Sequence, residues 1–410
     1  MRKAVLAAIK LDNNDDYFDE LIEECKNLCL AANIEIINFI SQSSRSIDPN
    51  YGFRKGKLEE LKLLIEETDV DLLVFYNNLP INTVSNLEEH LGVDILDRTQ
   101  LILDIFSNRA RSKEAIIQTE VAKLKYQIPR ALKEYTNEDK ARGGGFKNKG
   151  QGETRANLIK RKMEKRIFDL NEELKDLEKR KSAQTNSRDK SAIKKVALVG
   201  YTNAGKSSLM NNLLRLNDKE DKEVYEKDQL FATLDTSVRK IKYKNFEFLL
   251  FDTVGFVSDL PHELIEAFKS TLKVAKEADL LLHVLDANNP NIALLRQITN
   301  DTLREIEADN IEIIEVYNKI DLLDTRDNNL IQISTKTNEG INNLLDKIIN
   351  KLYPSDETRE VLIPYNKLNV LSQFKSIMNI EKLSDEEEGA KYKISGSEEN
   401  ISKFIKFIKK

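Results

Sequence analysis

The chain has 410 residues, of which 40% are apolar and 32% are charged, so it can form a buried core with a polar surface and is long enough for two to four domains. Its formal net charge of −5 does not indicate a general affinity for nucleic acid, and no stretch approaches the roughly 20 apolar residues of a membrane span. The only cysteines, Cys25 and Cys29, lie in a helical pattern without nearby histidines. We expect them to be packing residues of a monomeric cytoplasmic protein.

The N-terminal part alternates between strand and helix patterns. Short apolar runs at 3–9, 34–40 and 71–76 predict strands, and helical patterns at about 15–31 and 57–68 lie between them. This alternation predicts a small α/β domain over residues 1–107.

Residues 108–190 have a different pattern, which predicts an antiparallel helical hairpin. In the first helix Pro129 is expected to end the pattern, and one face carries Ala115, Ile116, Val121, Leu124 and Ile128. The second helix has apolar residues at steps of three and four, close to a heptad seam. That seam contains Ile159, Met163, Ile167, Leu170, Leu174 and Leu177.

The predicted tip of the hairpin, residues 141–155, contains five glycines and several basic residues. From 130 to 166 twelve Lys and Arg residues face five Asp and Glu residues, an excess of seven positive charges in an acidic chain. One interpretation is a solvated connection. The other is a basic tip that contacts an RNA backbone and orders on binding, with Arg142, Lys147, Lys149 and Arg155 as the candidate contacts.

Residues 182–195 are typical of a linker, and a second α/β pattern follows over 194–354. The final segment, 358–410, has strand-like runs at 361–363 and 391–394 and ends in a basic amphipathic helix. It predicts a short α+β C-terminal domain.

The first chemical motif begins the second α/β pattern. A strand, a glycine loop and a helix over 196–214 satisfy G-x-x-x-x-G-K-[ST], a loop whose backbone amides bind phosphates at a helix N-terminus. Lys206 is expected to reach the β- and γ-phosphates, and Ser207 to bind Mg²⁺. The predicted nucleotide contacts are Gly200, Tyr201, Thr202, Asn203, Ala204, Gly205, Lys206, Ser207 and Ser208.

The second motif, D-x-x-G, follows a strand. We expect Asp252 to hold Mg²⁺ through water, and the Gly255 amide to sense the γ-phosphate. Upstream, Thr233 is the expected switch threonine on Mg²⁺, with Thr236 as a rival. Neighbouring residues that complete these two nucleotide-contacting segments are Phe231, Ala232, Leu234, Asp235, Thr253 and Val254.

The third motif predicts the base. Asn318-Lys319-x-Asp321 ends another strand, and a carboxylate at Asp321 can accept both N1–H and the 2-amino group of guanine, a pair that adenine lacks. We expect Asn318 to hold the base edge and the Lys319 stem to pack on the ring. A loop under the base is expected at Ser334, Thr335 and Lys336.

Together these motifs predict Mg²⁺-dependent hydrolysis of GTP. The candidate catalytic residues are Lys206, Thr233, Asp252 and Gly255, and the candidate Mg²⁺ ligands are Ser207, Thr233 and Asp252. One position departs from many switch GTPases, in which a glutamine after the D-x-x-G glycine orients the attacking water. Here that position is Phe256, which cannot do so.

The motifs place 196–353 among the P-loop GTPases of the translation-factor superclass, and 97–132, 150–155 and 231–239 resemble the HflX family. This resemblance implies a ribosome-associated GTPase that binds the large ribosomal subunit and separates stalled or idle ribosomes in stressed bacteria. The glycine-rich turn departs from the family pattern, because Gln151 stands where a proline is usual.

The predicted fold class is α/β: a P-loop GTPase domain with a mostly parallel sheet flanked by helices, preceded by the small α/β domain and the hairpin. The sequence leaves three alternatives to a ribosome-stimulated GTPase. They are a signalling GTPase with protein partners only, an NTP-driven RNA-remodelling factor, and a nucleotide-binding scaffold without useful turnover.

Overall fold

The computed structural model describes most of the chain in two compact units, Met1–Ala183 (the N-terminal unit) and the described residues from Gln184 onward (the C-terminal unit). Among the described residues, no helix is long and apolar enough to cross a membrane. The described residues are 1–11, 17–141, 155–185, 193–215, 237–253, 255–257, 274–354, 357–372, 374, 377–404 and 407.

The N-terminal unit contains a four-stranded parallel sheet in the order β2-β1-β3-β4. Residues 4–9 of the central strand β1 are all buried, as expected of a parallel strand covered on both faces. Cys25 and Cys29 are free, buried thiols in the first helix. The elements are β1 (Arg2–Leu11), α1 (Phe18–Ala31), β2 (Ile34–Ser44), α2 (Lys55–Thr68), β3 (Leu72–Phe75), α3 (Ile81–Leu91), β4 (Asp94–Asp97) and α4 (Arg98–Arg109).

Two long helices follow, α5 (Lys113–Ala141) and α6 (Arg155–Thr185), and they pack together as the predicted hairpin. Buried Ile117, Val121 and Leu170 form their contact. Four partly buried residues pack around it, Leu124 from the predicted face of α5 and Ile167, Leu174 and Leu177 from the predicted seam of α6. The predicted face of α5 was wrong at Ile116, whose side chain is 47% exposed. Ile117 lies next to Ile116 but about 100° around the helix, and it faces the seam instead.

Pro129 does not end the first helix of the hairpin, so that expectation was wrong. Helix α5 continues through Pro129 for twelve more residues, to Ala141. A proline inside a helix removes one backbone hydrogen bond, but here Tyr126 and Arg130 on either side bind one buried carboxylate, Asp97. Tertiary contacts therefore outweigh the local preference for a helix end.

The C-terminal unit begins with a five-stranded sheet in the order β6-β7-β5-β8-β9, in which β6 alone is antiparallel to its neighbour. One apolar core includes Val196 and Leu198 from the central strand, and Leu282 from the next. The elements are β5 (Lys194–Val199), α7 (Lys206–Arg215), β6 (Ser237–Tyr243), β7 (Phe246–Asp252), β8 (Leu280–Asp286), α8 (Ile292–Glu305), β9 (Ile313–Asn318) and α9 (Ile341–Leu352).

Tyr353, directly after α9, joins three parts of this unit through its side chain. Its hydroxyl donates to the carbonyl of Glu247 over 2.6 Å and accepts from the backbone N–H of Lys194 over 3.3 Å. Its ring stacks on Phe246 with the centroids 5.2 Å apart. The start of β5, the start of β7 and the end of α9 therefore meet at one side chain.

A three-stranded antiparallel sheet in the order β10-β12-β11 follows, which confirms the predicted C-terminal strands. The parallel strands of the other two sheets confirm the α/β fold class. This sheet shares its apolar core with α9, and Phe404 lies fully buried in it against Phe374, with the ring centroids 5.0 Å apart. The elements are β10 (Glu357–Ile363), α10 (Asn369–Ser372), β11 (Asn379–Glu386), β12 (Gly389–Gly396) and α11 (Glu398–Ser402).

Replacing Phe404 with alanine should loosen the C-terminal sheet, because the change leaves a cavity among well-packed aromatic side chains. We expect a loss of about 3 kcal/mol in local stability, seen as roughly hundredfold faster hydrogen exchange of the β12 amides by mass spectrometry. Leu383→Ala, at a 43% exposed position, is the matched control and should change exchange little. Equal exchange in the two variants would contradict the shared core.

Candidate nucleotide-binding site

The three predicted motifs meet at one edge of the five-stranded sheet. Gly200 follows β5, Asp252 ends β7 and Asn318 ends β9. These strands run parallel to one another, so their carboxyl ends lie together, where ligands bind in open α/β sheets.

The glycines of the loop after β5 are required by close backbone approaches. A Cβ at Gly200, with φ +142°, would lie 2.3 Å from the carbonyl oxygen of Val284. At Gly205, with φ +96°, a Cβ would lie 2.2 Å from the side-chain nitrogen of Asn318. No L side chain fits either position, so the loop wraps close to β8 and β9 in a shape suited to enclosing phosphates.

Lys206, at the start of α7, has its ammonium group inside this loop. The Nζ atom donates to the carbonyls of Gly200 over 3.0 Å and Tyr201 over 2.7 Å, and the residue is buried. Burial lowers the pKa of Lys206 to about 8, while the negative charge of Asp252 opposes that shift. Keeping the ammonium group charged in this buried loop therefore costs free energy, and a bound anion would reduce that cost.

Ser207 and Asp252 form the second element of the site. The Ser207 hydroxyl donates to Oδ2 of Asp252 over 2.7 Å, and Asp252 is fully buried. The next residue, Thr253, donates its hydroxyl to the carbonyl of Leu198 over 2.6 Å, which fixes the end of β7 against β5.

A hydroxyl and a carboxylate are hard oxygen donors, the kind that Mg²⁺ takes together with nucleotide phosphates and water. The pair formed by Ser207 and Asp252 therefore fits that ion. Within the described ranges, no group of three or more His, Cys, Asp or Glu side chains could hold a metal ion by itself. These two donors suit a metal ion that also takes phosphate and water ligands.

Gly255 lies against the phosphate loop. A Cβ there would lie 2.8 Å from Cγ2 of Thr202 and 2.9 Å from Nζ of Lys206. A side chain would therefore displace the ammonium group, so glycine at this position keeps the backbone within reach of whatever Lys206 binds.

Phe256 is buried, and its backbone forms part of the site. The residue is 1% exposed. Its N–H donates to the carbonyl of Gly200 over 3.1 Å, and its carbonyl accepts from the N–H of Thr202 over 2.8 Å. The backbone ties the D-x-x-G segment to the loop, and the apolar ring cannot orient a water molecule.

Asn318 connects the phosphate loop to the expected base loop. Its Nδ2 donates to the carbonyl of Ala204 over 3.0 Å, and its Oδ1 accepts from the N–H of Thr335 over 3.2 Å. The side chain is fully buried. Both polar atoms of this amide therefore contact protein backbone, and the side chain fixes the phosphate loop against the loop that contains Thr335.

Asp321 is held ready as a carboxylate. Its Oδ1 accepts from the hydroxyl of Ser334 over 2.6 Å, and that hydroxyl in turn accepts from the N–H of Thr337 over 3.1 Å. The Ser334 hydrogen bond lowers the pKa of Asp321, with burial acting in the opposite direction. One carboxylate oxygen is thus oriented by protein while the group stays partly accessible.

Two residues that the sequence did not predict, Asp286 and Asn212, support this end of the site. Asp286 accepts through Oδ2 from the ammonium group of Lys319 over 2.7 Å. Lys319, at φ +64°, is thereby held at the end of β8. Asn212 of α7 donates to the carbonyl of Thr335 over 3.1 Å. Asp286 follows an apolar run, a signal that could have identified it, whereas nothing local marks Asn212.

The structure thus brings together most of the predicted phosphate and base residues. Arg155, a candidate RNA contact, is exposed at the start of α6 in the N-terminal unit. Several predicted residues lie outside the described residues: Arg142, Lys147, Lys149, Phe231, Ala232, Thr233, Leu234, Asp235 and Val254, together with the rival Thr236.

Three family models match consecutive segments of the chain between residues 19 and 319. Models described as GTP-binding GTPase N-terminal, GTP-binding GTPase Middle Region and 50S ribosome-binding GTPase match residues 19–107, 109–188 and 195–319. A solved GTP-binding protein from Sulfolobus solfataricus, in complex with GDP, is 24% identical with a TM-score of 0.45, over 86% of this chain and 99% of that chain.

Curated relatives match over most of their length. The GTPase HflX of Caldanaerobacter subterraneus subsp. tengcongensis is 42% identical over 89% of this chain and 84% of the relative. The GTPase HflX of Escherichia coli K12 is 34% identical over 95% of this chain and 92% of the relative. With the phosphate and guanine motifs assembled at one sheet edge, these matches show that the chain belongs to the HflX family of GTPases.

Proposed function

We propose that this GTPase binds the large ribosomal subunit, hydrolyses GTP with Mg²⁺ faster in that complex than alone, and thereby separates stalled or idle ribosomes. The observation that carries the proposal is the placement of Phe256. The side chain at the position where other GTPases orient water is apolar and 1% exposed, so the water has to be held by backbone, by a switch residue or by a partner, and we propose the partner.

In this proposal the phosphates lie in the loop from Gly200 to Ser208. The ammonium group of Lys206 leaves the carbonyls of Gly200 and Tyr201 and contacts the β- and γ-phosphates. Ser207 and Asp252 would hold Mg²⁺. Mg²⁺ supplies neutralisation of phosphate charge.

The base end selects guanine. The Asp321 carboxylate, oriented by Ser334, accepts both donors of the guanine edge, and Asn318 keeps the base loop and the phosphate loop in register. Adenine would leave Asp321 unpaired, which discriminates strongly at a polar site.

The switch consists of the segments around Thr233 and Asp252–Phe256. With GTP, Thr233 would be a further ligand of Mg²⁺, and the Gly255 amide would contact the γ-phosphate. Since phosphoryl transfer needs chiefly positioning and charge stabilisation, a ribosomal surface that positions the water would supply what Phe256 lacks. Hydrolysis then releases Thr233 and the γ-phosphate contact, and the protein leaves the subunit.

We propose that the chain has four domains: an α/β domain (1–107), the hairpin (108–190) with its basic tip (141–155), the GTPase domain (194–354) and the C-terminal domain (358–410). The domains other than the GTPase domain would provide the ribosome contacts. Arg142, Lys147, Lys149 and Arg155 would contact RNA phosphates. The family model described as 50S ribosome-binding GTPase supports the choice of the large subunit.

Phosphate release should test the central claim. We expect purified large subunits to raise GTP hydrolysis by about tenfold or more, because a partner completes the site, with no comparable effect on ATP hydrolysis or from small subunits. Light scattering of idle ribosomes would follow subunit separation in parallel.

No stimulation by large subunits would contradict the proposal and favour a signalling GTPase with protein partners. Stimulated ATP hydrolysis would favour an RNA-remodelling factor, and absent turnover of both nucleotides a scaffold. A variant with Arg142, Lys147 and Lys149 changed to glutamine should lose subunit binding while keeping its GTP hydrolysis without ribosomes.

Asp321→Asn should change base selection. The amide offers one donor and one acceptor in place of two acceptors, so GTP affinity should fall by about a hundredfold or more, and xanthosine triphosphate should bind better than GTP. Titration with fluorescent nucleotide analogues measures both affinities.

Ser334→Ala is the matched control for Asp321→Asn, because it removes the hydroxyl that orients the carboxylate and leaves the carboxylate itself. It should weaken GTP binding modestly and should not favour xanthosine triphosphate. Unchanged GTP affinity in Asp321→Asn would show that Asp321 does not read the base.

GDP affinity should decrease above pH 8. In the free protein the Lys206 pKa is about 8, so above this pH the lysine must take up a proton to bind phosphate, and affinity should fall by up to about tenfold per pH unit. The same lowered pKa makes the free energy of unfolding rise between pH 8 and about 10.5, because only the unfolded state binds the proton there.

Fluorescence titration of GDP between pH 7 and 9 measures this dependence. The control variant Lys206→Met shows how much the titration of guanine and of other protein groups contributes. Its affinity for GDP should be weaker than that of the parent protein and should change less with pH. An identical pH profile in the two proteins would exclude Lys206 as the titrating group.

A further inference from the structure

The hairpin is attached to the N-terminal domain through polar contacts on one face of α5. Lys123, Tyr126 and Arg130 are spaced by three and four residues, so they share that face. Lys123 donates to Oδ1 of Asp104 over 2.8 Å. Tyr126 and Arg130 both donate to Oδ2 of Asp97, the latter over 3.0 Å.

Asp97 is anchored in the sheet of the N-terminal domain. It is the last residue of β4, where it pairs with Phe75 of β3, and it is 1% exposed. Its Oδ1 accepts the N–H of Gln100 over 2.9 Å and so caps α4. The carboxylate that receives Tyr126 and Arg130 therefore cannot move without disturbing both a strand and a helix end.

These contacts span the proline turn of α5. Pro129 has no N–H to donate, and its ring crowds the carbonyl four residues earlier, at Lys125. Tyr126 and Arg130 flank the proline and share Asp97. Arg130 also donates to the Tyr126 hydroxyl over 3.0 Å, and its guanidinium carbon lies 4.8 Å from the centre of the Tyr126 ring.

Tyr126 and Arg130 both keep the protonation state in which they donate hydrogen bonds to Asp97. Burial and the Asp97 charge raise the pKa of Tyr126 well above its usual value, so the phenol remains a donor. A guanidinium is always charged in proteins. Because hydrogen bonds are directional, such a joint admits fewer relative orientations of its parts than an apolar contact does.

We infer that Asp97, Tyr126 and Arg130 form a brace that holds α5 in one direction across Pro129 and so positions the distal half of the hairpin for ribosome-stimulated GTP hydrolysis. Helix α5 runs eleven residues beyond Arg130 to Ala141, about 16 Å at 1.5 Å per residue. A change of angle of about 10° at Pro129 would therefore move the far end of α5 by about 3 Å. The inference rests on the proposed function, and the three residues act as positioning residues.

Distance measurement by pulsed electron paramagnetic resonance tests the brace without ribosomes. Spin labels would be placed at Leu63 in α2 and Leu158 in α6, which are 60% and 42% exposed, while the native Cys25 and Cys29 are buried. We expect one narrow distance distribution in the otherwise unaltered protein and broader ones in Tyr126→Phe and Asp97→Asn. Tyr51→Phe is the matched control, because that ring packs on His90 and lies outside the brace.

A rescue separates the brace from a general effect on stability. Adding Pro129→Ala to Tyr126→Phe restores the missing N–H of the helix, so it should narrow the distance distribution again. Unchanged distributions in both Tyr126→Phe and Asp97→Asn would overturn the inference, and so would failure of Pro129→Ala to rescue.

The second arm measures GTP hydrolysis against the concentration of large subunits. Tyr126→Phe should raise the concentration for half-maximal stimulation about fivefold, because fewer molecules hold the competent orientation. Hydrolysis without ribosomes and the rate at saturating subunits should stay unchanged, and Pro129→Ala should rescue. A broadened distance distribution with an unchanged subunit dependence would overturn the positioning role, whereas absence of stimulation in the parent protein would instead refute the proposed function.

Discussion

The buried amide of Asn318 is the contact on which the nucleotide site depends. One side-chain nitrogen reaches the carbonyl of Ala204 in the phosphate loop, and one oxygen receives the N–H of Thr335 in the base loop. Both partners are backbone groups, so the amide fixes the distance between two loops that are 131 residues apart in sequence. An isosteric aspartate would lose the donor and place an unpaired charge in the core, which is costly. The phosphate loop and the base loop are therefore positioned together, through one side chain.

The sequence predicted those parts of the site whose spacing is set by chemistry. The loop around Lys206 was recognisable because phosphate binding requires glycines, a lysine and a hydroxyl at fixed positions along one strand, loop and helix. Asp321 was predicted in the same way, from the two donors that guanine presents, and its role stays a prediction. The partners that orient these groups, such as Asp286 for Lys319 and Asn212 for Thr335, come from distant segments. A single sequence carries no local signal for such long-range pairs.

The fold was predicted where periodicity was long and regular, and the errors have identifiable causes. The strands β1 and β2 and the hairpin seam around Leu170 follow from apolar patterns. Strand β4 begins and ends with an aspartate, so it lacks the continuous apolar run that marked the equally short β3. Pro129 was taken as a helix end from its intrinsic preference, but the contacts of Tyr126 and Arg130 with a carboxylate 29 and 33 residues earlier reverse that preference. Tertiary contacts thus decided whether the helix continues at Pro129, against the intrinsic preference of proline.

Tyr353 has a consequence for how this GTPase segment relates to the rest of the chain. Its hydroxyl binds the backbone of Lys194, at the start of β5, and the tyrosine itself follows the last helix of the sheet. The chain therefore enters and leaves the segment at adjacent points. A domain with neighbouring ends can be inserted into, or removed from, a larger protein without rearranging its own strands. Because α9 also shares one apolar core with the C-terminal sheet, such a transfer would have to carry that sheet together with the GTPase segment.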